Sequence, residues 1–106
     1  MADPRIIKKY PNRRLYDTTE SRYITLEDVR ALITAGTEVR VTEQRGGRDI
    51  TRNVLLQVIA EQEMGAGTRL SREFLSLLIR SYNAIPAAEV AKPLEASMRQ
   101  ITAARS

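Results

Sequence analysis

The segment at residues 5–17, RIIKKYPNRRLYD, constrains the fold of this chain more than any other stretch. Pro11 lacks the amide proton that a strand ladder requires, and Asn12 favours turns, so an extended chain must reverse direction here. Residues 5–10 suit a strand before the turn, and residues 15–17 can pair back after it. Alternation along the first strand places on one face Ile6, Lys8 and Tyr10. The segment therefore predicts a β-hairpin.

The same hairpin holds the positive charge of the chain. The 106 residues carry a formal net charge of +4, whereas residues 5–16 contain five basic residues and no acidic one. The remainder is therefore close to neutral. Basic side chains interleaved with tyrosine and asparagine suit a phosphate backbone and the edges of bases. We predict that this surface contacts nucleic acid; the alternative is an ordinary solvated basic face.

The segment that follows the hairpin predicts a packing helix. Thr25 suits its N-cap, and Glu27 and Asp28 in the first turn complement the helix dipole. Gly36 can end the helix in a left-handed conformation. The apolar stripe consists of Leu26, Val29, Leu32 and Ile33. Because two acids occupy its first turn, we do not expect this helix to read DNA, and we expect the nearby Tyr23 to fill the core.

A second hairpin and a second helix are predicted next. Residues 38–42 alternate polar and apolar side chains, as a half-buried strand does. Gly46-Gly47 allows a tight connection. The basic residues of this hairpin, Arg40, Arg45 and Arg48, either extend the basic surface or, as we favour, form a solvated tip. Thr51 is the predicted N-cap of the helix. The predicted buried seam of that helix is Val54, Leu55, Val58 and Ile59.

The C-terminal part predicts two further helices. Ser71 suits the N-cap of a third helix, which is apolar around most of its girth. Such a helix needs cover on more than one side, and we favour a second copy of the chain over an ordinary core position. The alanine-rich tail at 87–106 predicts another helix, which Pro93 kinks or restarts. Its apolar stripe is thin and is expected to pack on its own domain, on a partner or on a hydrophobic surface. The stripe comprises Val90, Leu94, Met98 and Ile101.

Composition argues against several classes of function. The chain contains neither Cys nor His, which removes thiolate nucleophiles, most transition-metal sites and the usual general base near neutral pH. It also lacks a Gly-x-Ser-x-Gly motif. We therefore predict a protein that is not an enzyme, with no catalytic residue, metal or cofactor. No run approaches the roughly 18 apolar residues of a membrane span, and the first residues predict no signal peptide.

The basic hairpin also resembles a known family. Residues 5–17 are similar to the opening signature of the polyhydroxyalkanoate synthesis repressor family, and the likeness is dense over residues 5–64. It continues in the stretches SRYITL (21–26), DITR (49–52), LL (55–56) and EQE (61–63). Residues 71–82 resemble more loosely the start of the accumulation-associated region of that family. Beyond Tyr82 the chain departs from the pattern, with Asn83 where a glycine is expected.

The resemblance implies a bacterial, cytoplasmic, DNA-binding protein that is found at the nucleoid and at the granule surface. Members of the family repress genes for granule-coating proteins and for storage-polyester metabolism, including their own gene. They also bind the polyester, so that growing granules withdraw the repressor from its operators. The first region of the family is assigned to DNA, and the second region is assigned to the polymer or granule.

The basic hairpin and the resemblance together predict the functional residues. The predicted contacts to double-stranded DNA are Lys8, Lys9, Tyr10, Asn12, Arg13, Arg14 and Tyr16, with Arg5 and Arg22 in a secondary role. The predicted residues for oligomerisation or polymer binding are Phe74, Leu75, Leu77, Leu78 and Tyr82. We predict a repressor released by the polyester. The alternative is a coat-like structural protein of the granule that binds DNA only non-specifically.

These inferences define the expected architecture. We predict an α+β fold with small β-hairpins and packed helices in the N-terminal half and a helical C-terminal half. The DNA-binding domain is expected at residues 1–64. A helical oligomerisation or polymer-association region is expected at residues 68–106, and the protein is expected to be a homo-oligomer.

Overall fold

The computed structural model describes residues 3–65 and 67–105, which contain four strands and four helices. They fall into two compact units, Met1–Thr68 and Arg69–Ser106. The elements are β1 (Arg5–Lys9), β2 (Leu15–Asp17), β3 (Arg22–Ile24), α1 (Leu26–Thr34), β4 (Val39–Glu43), α2 (Thr51–Met64), α3 (Arg72–Ala84) and α4 (Ala87–Arg105). A small sheet in the N-terminal half and a helical C-terminal half confirm the predicted α+β class.

The four strands form one mixed sheet in the order β3-β2-β1-β4. β1 and β2 are antiparallel, with Ile7 opposite Asp17, and this confirms the predicted hairpin. β4 lies on the other side of β1 and runs parallel to it, with Ile7 opposite Val41. The predicted second hairpin is confirmed as a short antiparallel connection, in which Thr42 bridges Asp49. The Glu43 amide donates to the Arg48 carbonyl at 2.8 Å, and the Ile50 amide donates to the Val41 carbonyl at 2.9 Å. The main partner of β4 is nevertheless β1, and this pairing is not predicted from the sequence.

The hydrophobic core cluster of the first unit consists of aliphatic side chains. Its buried members are Ile7, Leu15, Ile24, Val29, Val39, Val41, Ile50, Val54 and Val58. Ile7, Val29 and Val41 are completely inaccessible, so the central strands and α1 share one packed layer. α1 and α2 thus cover one face of the sheet, and alternation turns the other strand positions to the opposite face. The prediction that Tyr23 fills the core is wrong, because it pairs with Tyr16 on that opposite face and is 41% exposed.

α1 begins and ends as its sequence predicts. The Thr25 hydroxyl accepts a hydrogen bond from the Asp28 amide at 3.2 Å, and the Asp28 carboxylate accepts one from the Thr25 amide at 2.9 Å. This reciprocal pair is a capping box. At the other end, Gly36 has a φ of +94°, and the Thr37 amide donates to the Leu32 carbonyl. These features form a Schellman end, which satisfies carbonyls that the helix leaves free.

The start and the packing face of α2 differ from the prediction. Thr51 is the first residue of α2 rather than its N-cap, and its hydroxyl accepts a hydrogen bond from the Val41 amide at 2.9 Å. The side chain is therefore used to tie α2 to β4, while Asp49 Oδ1 accepts the Thr51 amide. Val54 and Val58 are buried as predicted. Ile59 is 51% exposed, so the predicted seam is narrower than four residues.

The second unit consists of α3 and α4. The Ser71 hydroxyl accepts a hydrogen bond from the Phe74 amide at 3.0 Å, which confirms Ser71 as the N-cap of α3. α4 continues through Pro93 without a second start. No side chain of residues 72–104 is buried. Across residues 3–65 and 67–105, no helix has the length and apolar character required to cross a membrane.

Candidate nucleic-acid interface

The turn between β1 and β2 has a defined three-residue geometry. The Arg13 amide donates to the Tyr10 carbonyl at 2.8 Å, and the Tyr10 amide donates to the Arg14 carbonyl at 2.9 Å. Pro11 and Asn12 occupy the two central positions, and Asn12 Oδ1 accepts the Arg14 amide at 3.0 Å. These bonds close the hairpin through backbone and Asn12 contacts, so the turn is held in one conformation.

Arg13 has the unusual backbone conformation in this turn. Its φ is +68°, in the left-handed region that glycine most often occupies at this position. A side chain with a Cβ costs roughly 1 kcal/mol in that conformation. Strained positions of this kind cluster at functional sites, where the side chain contacts a ligand and this contact offsets the cost of the strain. The exposed guanidinium of Arg13 fits that rule.

The sheet separates the two neighbouring lysines of β1. Lys8 is exposed on the face opposite the helices, whereas Lys9 is half-buried at the end of the strand beside the turn. In the part of the chain that the structure describes, neither lysine forms an ion pair with a carboxylate, and neither do Arg13 and Arg14. The hairpin end of the sheet therefore carries positive charge that its own acids do not neutralise.

Three tyrosines form an aromatic cluster on the helix-free face. The ring centroids of Tyr16 and Tyr23 lie 5.3 Å apart, and Tyr10 lies 6.1 and 6.0 Å from these two rings. All three pairs meet edge to face, which is a favourable arrangement for aromatic rings. The Arg14 guanidinium carbon sits 3.9 Å from the centroid of the Tyr23 ring. This cation–π contact orients Arg14 at the turn.

The two arginines with a predicted secondary role lie apart from this end. Arg5 Nε and Nη2 donate to the Asp17 carboxylate at 3.1 and 2.7 Å. Arg22 Nε lies 3.6 Å from Glu20, and the two side chains are exposed. The structure thus groups Arg5 and Arg22 with acids and does not bring them to the turn.

Asp17 is a buried carboxylate whose charge is compensated. The hydrogen bond from Arg5 lowers the pKa of Asp17, and amide donors from Thr19 and Glu20 act in the same direction, while burial opposes them. The Asp17 side chain is 2% exposed. Its partners anchor the start of β1 to the end of β2, so we assign this ion pair to holding the hairpin together.

A groove beside the turn is lined in part by basic residues that the sequence did not predict to contact DNA. It has a volume of about 430 Å³, and its lining includes Lys9 and Arg13. Arg45 and Arg48, which we expected to form a solvated tip, also line it. The remaining lining residues are Tyr10, Pro11, Glu43, Ile50, Asn53 and Gln57.

Parallel pairing brings the end of β1 next to the loop after β4. β1 and β4 end at the same edge of the sheet, and the Gln44 amide donates to the Lys9 carbonyl at 2.8 Å. The loop that holds Arg45 and Arg48 is therefore fixed beside the β1–β2 turn. Their basic character was the one available sequence signal, because the β1–β4 pairing has no local signature.

A small sheet with unpaired cations and aromatic rings gathered at one end is typical of nucleic-acid-binding domains. Residues 6–66 match the family described as the PHB/PHA accumulation regulator DNA-binding domain. The match covers more than half of the chain and includes all four strands with α1 and α2 except the first residue of β1. The chain therefore belongs to the PHB/PHA accumulation regulator family.

Similar proteins are longer than this chain. An uncharacterized protein of Allochromatium vinosum is 48% identical over 98 residues, which are 92% of this chain and 64% of that protein. An uncharacterized protein in the phbA 5′ region of Thiocystis violacea is 47% identical over 98 residues, or 92% of this chain and 71% of that protein. The chain thus spans about two thirds of the length of these relatives. No solved structure matches it.

Proposed function

We propose that this protein is a transcriptional repressor of polyhydroxyalkanoate synthesis and granule genes that leaves its operators when it binds the polyester. The family supports a role as a DNA-binding regulator. One relative is described by its place in the phbA 5′ region, which agrees with a link to this metabolism. The observation that carries the DNA-binding part is the set of unneutralised cations at the hairpin end of the sheet.

At this end, the residues of the turn read the DNA. Arg13 and Arg14 approach guanine edges or phosphates, and Asn12 retains its amide group as a donor while its oxygen holds the turn. Lys8 and Lys9 hold phosphates on either side of β1. Tyr10 and Tyr16 support the turn from the open face. Arg5 and Arg22 stabilise the far end of the sheet and take no direct part.

The polyester and a second copy of the chain bind to α3 in this proposal. Leu77 is 62% exposed and Tyr82 is 76% exposed, which is unusual for large apolar side chains on one short helix. The proposed surface comprises Phe74, Leu75, Leu77, Leu78 and Tyr82. One apolar surface cannot face two partners at once, so binding of polymer opposes self-association and weakens DNA binding. The protein then acts in the bacterial cytoplasm, at the nucleoid and at granules.

The test is a fluorescence-anisotropy titration of a labelled duplex from upstream of a granule-coat gene. A scrambled duplex of the same composition serves as the control, and each is measured with and without polyester particles. The proposal predicts preference for the native duplex and loss of that complex when particles are added. Equal, steeply salt-dependent binding to both duplexes would instead identify a granule coat protein with non-specific DNA binding.

The variant Arg13→Ala/Arg14→Ala tests the assignment of the turn. We expect this protein to lose the preference for the native duplex and about two units of the salt slope. Circular dichroism and urea unfolding establish that the variant remains folded. An unchanged affinity and salt slope would remove the turn from the DNA interface.

A further inference from the structure

The groove between the β1–β2 turn and the loop after β4 has the properties of a site for an extended anion. Its lining includes Lys9 and Arg13 from the end of β1 and the turn, and Arg45 and Arg48 from the loop after β4. Glu43 is the one acidic residue among its described lining residues, and it lies 3.3 Å from Arg48. The net charge of the lining is therefore strongly positive.

The lining of the groove also contains neutral hydrogen-bond donors. Asn53 and Gln57 are four residues apart on α2, so their side chains lie on the same helix face, and both line the groove. Carboxamide groups donate to phosphate oxygens and also pair with adenine edges. The first turn of α2 contains no acidic residue that would repel a phosphate.

We propose that one sugar-phosphate strand of duplex DNA lies in this groove, with Arg45 and Arg48 on its phosphates and with Asn53 and Gln57 as neutral donors. This inference rests on the proposed DNA-binding function and deepens it, because it adds four contact residues and a path for the backbone. The strand passes from the turn, where bases are read, into the groove, where phosphates are held.

Duplex DNA fits the groove better than a small free anion. The four cations come from two separate segments of the chain, and Arg13 belongs both to the groove lining and to the exposed turn. A strand with a charge on each nucleotide can contact the two segments in succession. A free nucleotide is the alternative occupant, and competition distinguishes the two.

The experiment measures duplex affinity of the full chain against salt concentration for two unrelated labelled duplexes. Arg45→Ala/Arg48→Ala is expected to weaken binding to both duplexes equally and to lower the slope of log K against log salt by about 1.8. Lys92→Ala/Arg99→Ala removes the same charge from exposed positions of α4 and is expected to leave the slope unchanged. An unchanged slope for Arg45→Ala/Arg48→Ala overturns the inference.

Two further variants of the groove lining are expected to change duplex affinity in opposite directions. Glu43→Gln is isosteric and removes the acid that competes for Arg48, so it is expected to tighten duplex binding several-fold. Asn53→Ala/Gln57→Ala is expected to weaken binding with no change in slope, because neither residue carries a charge. Weaker duplex binding by Glu43→Gln, or unaltered duplex binding by Asn53→Ala/Gln57→Ala, contradicts the proposal that DNA lies in the groove.

Failure of this inference is distinguishable from failure of the proposed function. If the variants at Arg13 and Arg14 lose binding while those at Arg45 and Arg48 do not, only the groove is wrong. If the unaltered protein binds no duplex, the proposed function itself is wrong. Displacement of duplex by ATP at equal phosphate concentration identifies a small-anion site and also overturns the groove as a path for DNA.

Discussion

At the scale of single residues, the hairpin combines a strained position with a strongly stabilised one. Arg13 has a left-handed backbone and an exposed side chain without an ion pair among the described residues. Asp17 is buried and receives hydrogen bonds from Arg5 and two backbone amides. The first residue is thus available to a ligand, and the second fixes the strands that present it.

Arg13→Gly is expected to lower duplex affinity with little change in the free energy of unfolding. Glycine relieves the left-handed strain but increases the entropy of the unfolded chain, so the free energy of unfolding should change by less than about 1 kcal/mol. Duplex affinity should fall about tenfold, because a phosphate or guanine contact is removed. Urea unfolding and anisotropy measure the two effects. A folded variant with unaltered affinity would contradict the role of Arg13.

Asp17 is expected to make folding sensitive to acid. Its pKa is lower in the folded protein than in the unfolded chain, so its stabilising contribution is complete above the unfolded value near 3.9. That contribution is lost as the pH falls through the lowered folded pKa. Asp17→Asn should cost about 3 kcal/mol at neutral pH. It should also flatten the decline in stability below about pH 4.

Urea unfolding of both proteins from neutral to acidic pH measures these changes. Asp3→Asn serves as a control, because Asp3 is exposed. Parallel pH curves for the unaltered protein and Asp17→Asn would show that the ion pair is not the acid-sensitive group.

At the scale of elements, the sequence predicts the features that depend on neighbouring residues. It does not predict the features that depend on a partner distant in the chain. The turn at Pro11 and the two ends of α1 depend on neighbouring residues, and the sequence predicts them. Thr51 has the residue type of an N-cap, but the Val41 backbone engages its hydroxyl, and this partner is distant in the chain. Tyr23 faces away from the core because its pairing with Tyr16 fixes which side of β3 meets the helices.

The residues of the candidate site also differ in whether neighbouring or distant residues place them there. The cations of the turn are adjacent in sequence and were predicted together. Arg45 and Arg48 reach the same groove only because β4 pairs in parallel with β1, and no local pattern indicates that pairing. Arg5 has the residue type of a DNA contact, but a buried carboxylate twelve residues away binds it.

Thr25→Ala is expected to destabilise the first unit through α1. The variant removes the hydroxyl of the capping box, and such losses cost about 1 kcal/mol. Thr25→Ser keeps the acceptor and should retain most of the stability. Urea unfolding measures both variants. Equal destabilisation by serine and alanine would assign the effect to the lost methyl group.

At the scale of the molecule, the two units differ in how they are stabilised. The described residues of the first unit include nine buried aliphatic side chains and a sheet. In the second, no side chain of residues 72–104 is buried, although α3 and α4 contain many apolar residues. Isolated helices of this length are marginal in water. The second unit therefore gains most from an external surface that covers it.

A peptide spanning residues 69–106 is expected to show helix content that rises with its concentration. Self-association would bury apolar side chains that a single chain exposes, and folding would follow the law of mass action. Circular dichroism over a concentration series measures this dependence, and Leu77→Glu should abolish it. High helicity that is independent of concentration would show that the second unit needs no partner.

The position of β1 in the middle of the sheet makes one of its two edges depend on a distant segment. Of the four strands, β1 and β2 are the earliest in the chain and can pair with each other, but the other edge of β1 stays open until β4 follows β3 and α1. Contacts between such distant segments form slowly, because a long loop must close before they stabilise anything. A nascent chain that ends before β4 thus has a basic, unfinished hairpin. The groove beside the turn can form only after β4 and the loop that follows it have left the ribosome.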